Sequence, residues 1–293
     1  MGSVGKVLLL GGLAALLYLE RKYPLRPSVE PGPRRIVRNL ATGALTAAVV
    51  SAVERPLVNR MSALAERRGW GIVPALPVSL PVKAAVSVAL MDYTLYWWHV
   101  LLHRIPPLWR LHVPHHVDRD LDMSTGVRFH FGEFLASVPW RCAQVIAIGV
   151  GPRALAVWQK LTLAEVLFHH SNVRLPRRVE RVLSLLIVTP RLHGIHHSVA
   201  RHERDSNFSS GLTLWDRAHR TACFELDRDQ VTIGLPGHQR PEAATFVKTL
   251  ASPFVDVGSD RTIELSRYSR NKSQACACSP TCNTSHLSKG ATR

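Results

Sequence analysis

Residues 99–116 read H-V-L-L-H-R-I-P-P-L-W-R-L-H-V-P-H-H. His99 and His103 close an apolar run, Val82–Leu102, whose only charged or imidazole side chains are Lys83, Asp92 and His99. Histidines four apart on a helix share one face. His112, His115 and His116 follow as H-x-x-H-H, and the same pattern returns at His193, His196 and His197, 81 residues later. His130 and the pair His169-His170 stand between, so eleven of the fifteen histidines fall between 99 and 197. Neutral imidazole is the commonest protein ligand for zinc, iron, copper and nickel. Groups at this spacing, placed at the ends of apolar segments, point to a polynuclear metal centre at a membrane. His202, His219, His238 and His286 stand apart from the groups and read as polar anchors.

The rest of the chain fits around that stretch. It has 293 residues, a formal net charge of +16 and 46% hydrophobic content. The apolar residues are concentrated in segments separated by Arg-rich stretches, so the ordinary average hides membrane helices. The basic balance shows no compact nucleic-acid motif and suits anionic lipid headgroups and cytoplasmic anchoring. Five cysteines, three of them in the tail, make no disulfide framework. Val7–Leu19 reads as a short membrane helix or anchor, Leu40–Val53 as a second, and Val82–Leu102 as a third. Phe134–Phe168 is too long for one span, and its Gly151-Pro152 dipeptide predicts two antiparallel helices joined by a tight turn. Crossing roughly 30 Å of hydrocarbon takes about 20 residues, so several of these segments must tilt or insert partly.

A hairpin returns the chain to the side it left, so all the histidine groups can meet at one face. The Arg-rich segments 104–128 and 174–204 share that face and mark it as cytoplasmic. Arg55, Arg60, Arg67 and Arg68 would then lie outside, against the same rule. The expected fold is an all-α integral membrane helical bundle with a cytoplasmic histidine-rich cap. Its divisions are N-terminal membrane helices over 1–60, a domain carrying the histidine boxes over 61–265, and a disordered tail over 266–293. Cys276, Cys278, Cys282 and His286 in that tail match no zinc-binding spacing. Tyr93, Tyr96, Trp97 and Trp98 read as an interfacial aromatic belt.

The set H-V-L-L-H (99–103), L-H-V-P-H-H (111–116), R-F-H-F-G-E (128–133), H-H-S-N (169–172) and T-P-R-L-H-G-I-H-H-S (189–198) resembles the fatty acid hydroxylase/sterol desaturase superfamily. The later N-F-S-S-G-L-T-L-W-D-R (207–217) resembles that family's segment after the last box. The resemblance covers about residues 80–220. It implies a membrane-bound di-metal oxidoreductase that uses O2 to hydroxylate or desaturate a lipid C–H bond, the lipid being a sterol, fatty acyl chain or related molecule. The implied cofactors are two iron ions, replaceable by zinc during purification. The implied ligands are His99, His103, His112, His115, His116, His170, His193, His196 and His197. His130 matches a further family histidine, and His169 is an adjacent extra.

The residues themselves add to this. Asp92, Glu133, Glu165 and Asn172 are candidates to orient ring N–H donors. No dinucleotide fingerprint follows a strand, so electrons must come from a separate ferredoxin, cytochrome or reductase. A membrane metal-handling or transport protein is the alternative, although a transporter would hold its ligands near the midplane. Two departures from the family pattern matter. Pro114 lies inside the second box, where its ring would clash with the carbonyl four residues back at Arg110, predicting a helix start or kink there. Phe208 and Ser209 stand where the family often has Tyr and Gly, which weakens any assignment of substrate.

Overall fold

The computed structural model describes residues 3–255 except 31, 227–230 and 241–244. The tail expected over 266–293, with Cys276, Cys278, Cys282 and His286, lies outside the described residues. Among those residues the regular structure is helical, with three isolated antiparallel bridges and no sheet. The helices are α1 (Ser3–Lys22), α2 (Pro33–Val49), α3 (Arg55–Arg68), α4 (Leu80–Arg104), α5 (Pro106–His116), α6 (Phe131–Ile148), α7 (Pro152–His170), α8 (Arg177–Leu183), α9 (Pro190–His196), α10 (Arg201–Arg204), α11 (Leu214–Ala218) and α12 (Phe246–Ala251).

A turn of π-helix, Val50–Glu54, splices α2 to α3. Pro56 explains it: proline lacks an N–H and its ring crowds the carbonyl four residues back, at Ala52. The helix admits one extra residue, so the Arg55 N–H bonds to the Val50 carbonyl. The result is one continuous helix of 36 residues, Pro33–Arg68. Among the described residues it is the one helix long and apolar enough to cross a membrane by length and composition. Helices α4, α6 and α7 do not reach that hydropathy; they carry Lys83 and Asp92, Glu133 and Arg141, and Arg153, Lys160 and Glu165 respectively.

Helix α4 carries two parallel stripes. Met91, Leu95, Trp98 and Leu102 repeat at four, three and four residues and are buried in the core with Val145, Ile148, Leu155 and Trp158. One residue further on, Asp92, Tyr96, His99 and His103 repeat at the same spacing. A one-residue step turns a helix by about 100°, so α4 packs one stripe into the bundle and presents the other to the cap.

The break between α6 and α7 falls where the sequence predicts, but the two helices pack against α3 and α4 and hardly touch each other. Gly149 ends α6 with φ 82°, and Gly151 precedes Pro152 at the start of α7. Gly149 is required twice, because its left-handed conformation suits glycine and a Cβ there would come within 2.3 Å of the Trp70 carbonyl. Tyr96 and Trp98 are buried, while Tyr93 packs against Trp215 and His219. These aromatics are packing elements and not the expected interfacial belt.

Helix α2 is built inside out. Its buried residues are Arg35, Asn39, Thr42 and Thr46, and its apolar Val37 and Leu40 are 63% and 51% exposed. Arg35 donates to both carboxylate oxygens of Asp118 at 2.8 and 2.9 Å and also pairs with Asp122. Asn39 donates to Asp118 at 2.7 Å and accepts from Arg128 at 2.8 Å. Burial would raise the Asp118 carboxyl, but the Arg35 and Arg128 cations outweigh it and hold the group at about 2. Through this network α2 clamps the loop that follows the second histidine box.

Candidate metal centre

Helix α5 continues through Pro114 to His116, so no helix starts within the box. The proline sits near the end of the helix, and its carbonyl accepts from Arg128 Nε at 2.8 Å. His112 and His116 are four residues apart and lie on one face; His115 is rotated away from both. The same holds for His193, His197 and His196 around the end of α9.

Nine histidines gather into two groups. His99, His103, His112, His116 and His196 offer ring nitrogens within 4.8 Å of one another, and so do His115, His170, His193 and His197. Each H-x-x-H-H box therefore divides: its outer two histidines join one group and its middle histidine crosses to the other. The groups adjoin, with the His116 and His197 rings stacked at 4.3 Å.

The hydrogen bonds define which nitrogens are free. A carbonyl only accepts, so a ring nitrogen facing one must carry the proton. His99 donates from Nδ1 to the Phe208 carbonyl (2.7 Å) and His196 from Nδ1 to Ser206 (2.8 Å). His170 donates from Nδ1 to Val166 (2.7 Å) and His115 from Nδ1 to Arg128 (3.2 Å). His112 presents Nδ1 to Glu133 at 2.9 Å. In a neutral ring the remaining Nε2 is then a bare lone pair. Yet His170 Nε2 lies 3.0 Å from His115 Nε2, and both rings have Nδ1 committed to a carbonyl. Two lone pairs at that separation repel unless a cation lies between them.

Burial and the neighbouring imidazoles hold His193, His196 and His197 well below the usual imidazole value, so a proton is a poor cation for the place. The buried His196 Nε2 and His99 Nε2 have no hydrogen-bond partner. The donor set fits metal ions, with oriented neutral imidazoles and four or five nitrogens per site, the ligand type that suits iron and zinc.

The other expected residues lie elsewhere. His130 caps α6 through Gly132 N and does not join a cluster. His169 packs against His193, ring centroids 4.0 Å apart and tilted, but belongs to neither group. Glu133 contacts His112 as its position beside the third motif suggests. Asp92 instead accepts from Leu212 N and the Trp215 indole. With Glu165 it lines a separate groove between α4 and α7 and flanks Gly211, where a Cβ would meet the two carboxylates at 2.6 and 2.7 Å. Asn172 pins the backbone of Arg26 with both ends of its amide. Asp92 and Asn172 are held there by hydrogen bonds from loop backbone that the sequence pattern does not place.

Ser206, Phe208, Arg128 and Val166 orient histidines through backbone carbonyls, which leave no mark in a sequence. Asn207 takes the left-handed φ of 51° and bridges Leu192 and Cys223. Asp216 receives the Phe208 and Ser209 N–H groups at 2.8 and 2.9 Å. Together they set the 206–209 turn that faces His99 and His196. Asp216 lies in the W-D-R of the quoted 207–217 segment, the one signal that pointed to this turn.

A cavity of about 370 Å³ opens beside the centre, bounded by α2, α4, α6 and α7. His99, His112, His115, His170 and His193 form one end, and Leu95, Trp98, Phe134 and Leu163 give it apolar walls.

An all-helical scaffold with two adjoining, carbonyl-oriented histidine clusters and an apolar cavity defines a histidine-box class. Residues 84–221 match the fatty acid hydroxylase family model, which supports the fatty acid hydroxylase superfamily. It is similar to alkylglycerol monooxygenase of Homo sapiens, 28% identical over 147 residues, 50% of this chain and 31% of that protein. It is also similar to ornithine lipid hydroxylase OlsE of Rhizobium tropici, 30% identical over 174 residues, 59% of this chain and 50% of that protein. The chain thus spans a third to a half of the length of these relatives. No solved structure matches it.

Proposed function

We propose that the chain is an O2-dependent lipid hydroxylase or desaturase with a histidine-bound pair of metal ions, irons in the active enzyme. The observation that carries this is the pairing of His115 and His170, whose bare Nε2 lone pairs lie 3.0 Å apart, next to an equivalent group and an apolar cavity. Two irons supply the redox capacity to reduce O2 against an unactivated C–H bond. His99, His103, His112, His116 and His196 would hold one ion; His115, His170, His193 and His197 would hold the other. Glu133 and the carbonyls of 128, 166, 206 and 208 keep those rings aimed and neutral. The apolar walls of the cavity hold a hydrocarbon against the centre and exclude water.

In hydroxylation, one oxygen atom of O2 enters a C–H bond and the other leaves as water, with two electrons and two protons supplied by a separate donor. In desaturation, two hydrogens leave the chain and, with two electrons and two protons again from the donor, both oxygen atoms leave as water. The relatives' names, a monooxygenase and a hydroxylase of lipids, support oxygen insertion over desaturation. The alternative of metal transport is disfavoured because the ligands sit at helix ends beside an apolar chamber and line no path through a span.

The same reading puts the chain in a membrane. The apolar outer faces of Pro33–Arg68 and of α7, where Val157, Leu161 and Leu163 are exposed, suit lipid. The histidine cap with its Arg-rich segments would face the cytoplasm. The test is lipid mass spectrometry of cells with and without the gene, grown under isotopically heavy O2. A lipid that carries the heavy oxygen only when the gene is present is expected; an unchanged lipid profile would overturn oxygen insertion.

A further inference from the structure

At the end of the cavity away from the histidines, α6 carries Arg141 two helical turns beyond Glu133, about 12 Å along the axis. Arg141 is 8% exposed and stacks over the Trp158 ring at 4.8 Å. Its nearest acid, Glu54, stands 3.9 Å from Nε, outside hydrogen-bond reach. Neither Nε nor Nη1 of Arg141 has a hydrogen-bond partner, and neither do Trp158 Nε1, Thr162 Oγ1 or Glu54 Oε2. Arg141, Trp158, Thr162 and Glu54 all line the cavity.

Buried donors without acceptors are unfavourable and rare in a folded chain. Here three of the four side chains are donors and one is a planar cation, whose fork matches the two oxygens of an oxyanion. The π turn that ends at Glu54 shapes the same wall, as such turns often do at functional sites.

We infer that Arg141, with Trp158 and Thr162, is the subsite for an oxyanion, a carboxylate or phosphate carried by the aliphatic substrate. Its chain then runs along the cavity to the histidines, so the oxidised carbon lies several bonds from the oxyanion and not beside it. This inference rests on the cavity being the substrate chamber of the proposed oxygenase.

The test compares three probes with one chain and different heads: dodecanoate, dodecyl phosphate and dodecanol. Each is titrated into zinc-loaded full-length protein in phosphatidylcholine nanodiscs, with tryptophan emission as the readout and empty nanodiscs as the blank. At least one oxyanion should bind about tenfold more tightly than dodecanol, the scale of a charge-assisted hydrogen bond. Stronger carboxylate binding marks a fatty-acid head; stronger phosphate binding marks a phospholipid-type head. Arg141→Gln should abolish the preference while leaving dodecanol unchanged. Glu54→Gln, which removes the nearby negative charge, should tighten the oxyanion alone, a gain that misfolding cannot imitate. Equal binding of all three heads by the unaltered protein would overturn the inference, as would a preference that survives Arg141→Gln or no gain in Glu54→Gln. Oxyanion binding without oxygen transfer would instead fault the oxygenase reading and leave the subsite standing.

Discussion

His170 shows how single residues make the centre. Its Nδ1 is committed to the Val166 carbonyl one turn back, which frees Nε2 toward His115 and His193. Glu133 plays the same part for His112 from another helix. Removing a group that orients a ligand typically weakens metal binding 10–100-fold. Glu133→Ala should therefore lower affinity at the five-histidine group by that factor and leave the four-histidine group unchanged, as measured by chelator competition with cobalt absorption. Equal loss at both groups would show that Glu133 supports the fold and not His112. At this scale the nine clustered histidines were legible because three- and four-residue spacing leaves a pattern. The carbonyls that aim them were not, because every residue has one. Asp92 and Asn172 lie away from the histidines, and an acid or amide near an apolar segment does not reveal which backbone groups will claim it.

At the scale of elements, the break between α6 and α7 was legible from Gly151-Pro152, and α4 from its apolar run; that α3 and α4 would separate those two helices was not. The inward polar face of α2 was not: Leu40–Val53 reads as Ala-rich and apolar, and Arg35, Asn39 and Thr42 gain meaning only beside Asp118. The division of each box between two clusters also needs the helices in place, since spacing alone puts three histidines on one rough face. The Arg35–Asp118 pair is fully buried, so breaking it leaves an uncompensated charge, which costs about 3–5 kcal/mol. Asp118→Ala should lower thermal stability on that scale and loosen the loop that presents Arg128 to His115. The group's folded pKa of about 2 lies below its ordinary 3.8. Its stabilisation is therefore complete above about pH 4 and is lost as pH falls toward 2, a loss that Asp118→Ala should not show in acid unfolding curves. An acid profile identical to that of the unaltered protein would contradict the role of the pair.

At the scale of the molecule, one arrangement joins an apolar exterior, an internal chamber and a basic cap. Arg110 in α5 and Arg201 at the start of α10 are both exposed on the elements beside the histidine boxes. Single cysteines at those two positions should react with an impermeant reagent only after the membrane is opened; labelling of one alone in intact cells would contradict a single cytoplasmic cap. The central claim is that the two clusters are two separate metal sites, and metal content by mass spectrometry of elements tests it most directly. Iron- or zinc-loaded protein should carry close to two ions per chain. His193→Ala with His197→Ala, which removes two of the four ligands of one group and none of the other, should leave close to one. Two ions retained in that double variant, or a single ion in the unaltered protein, would contradict the account.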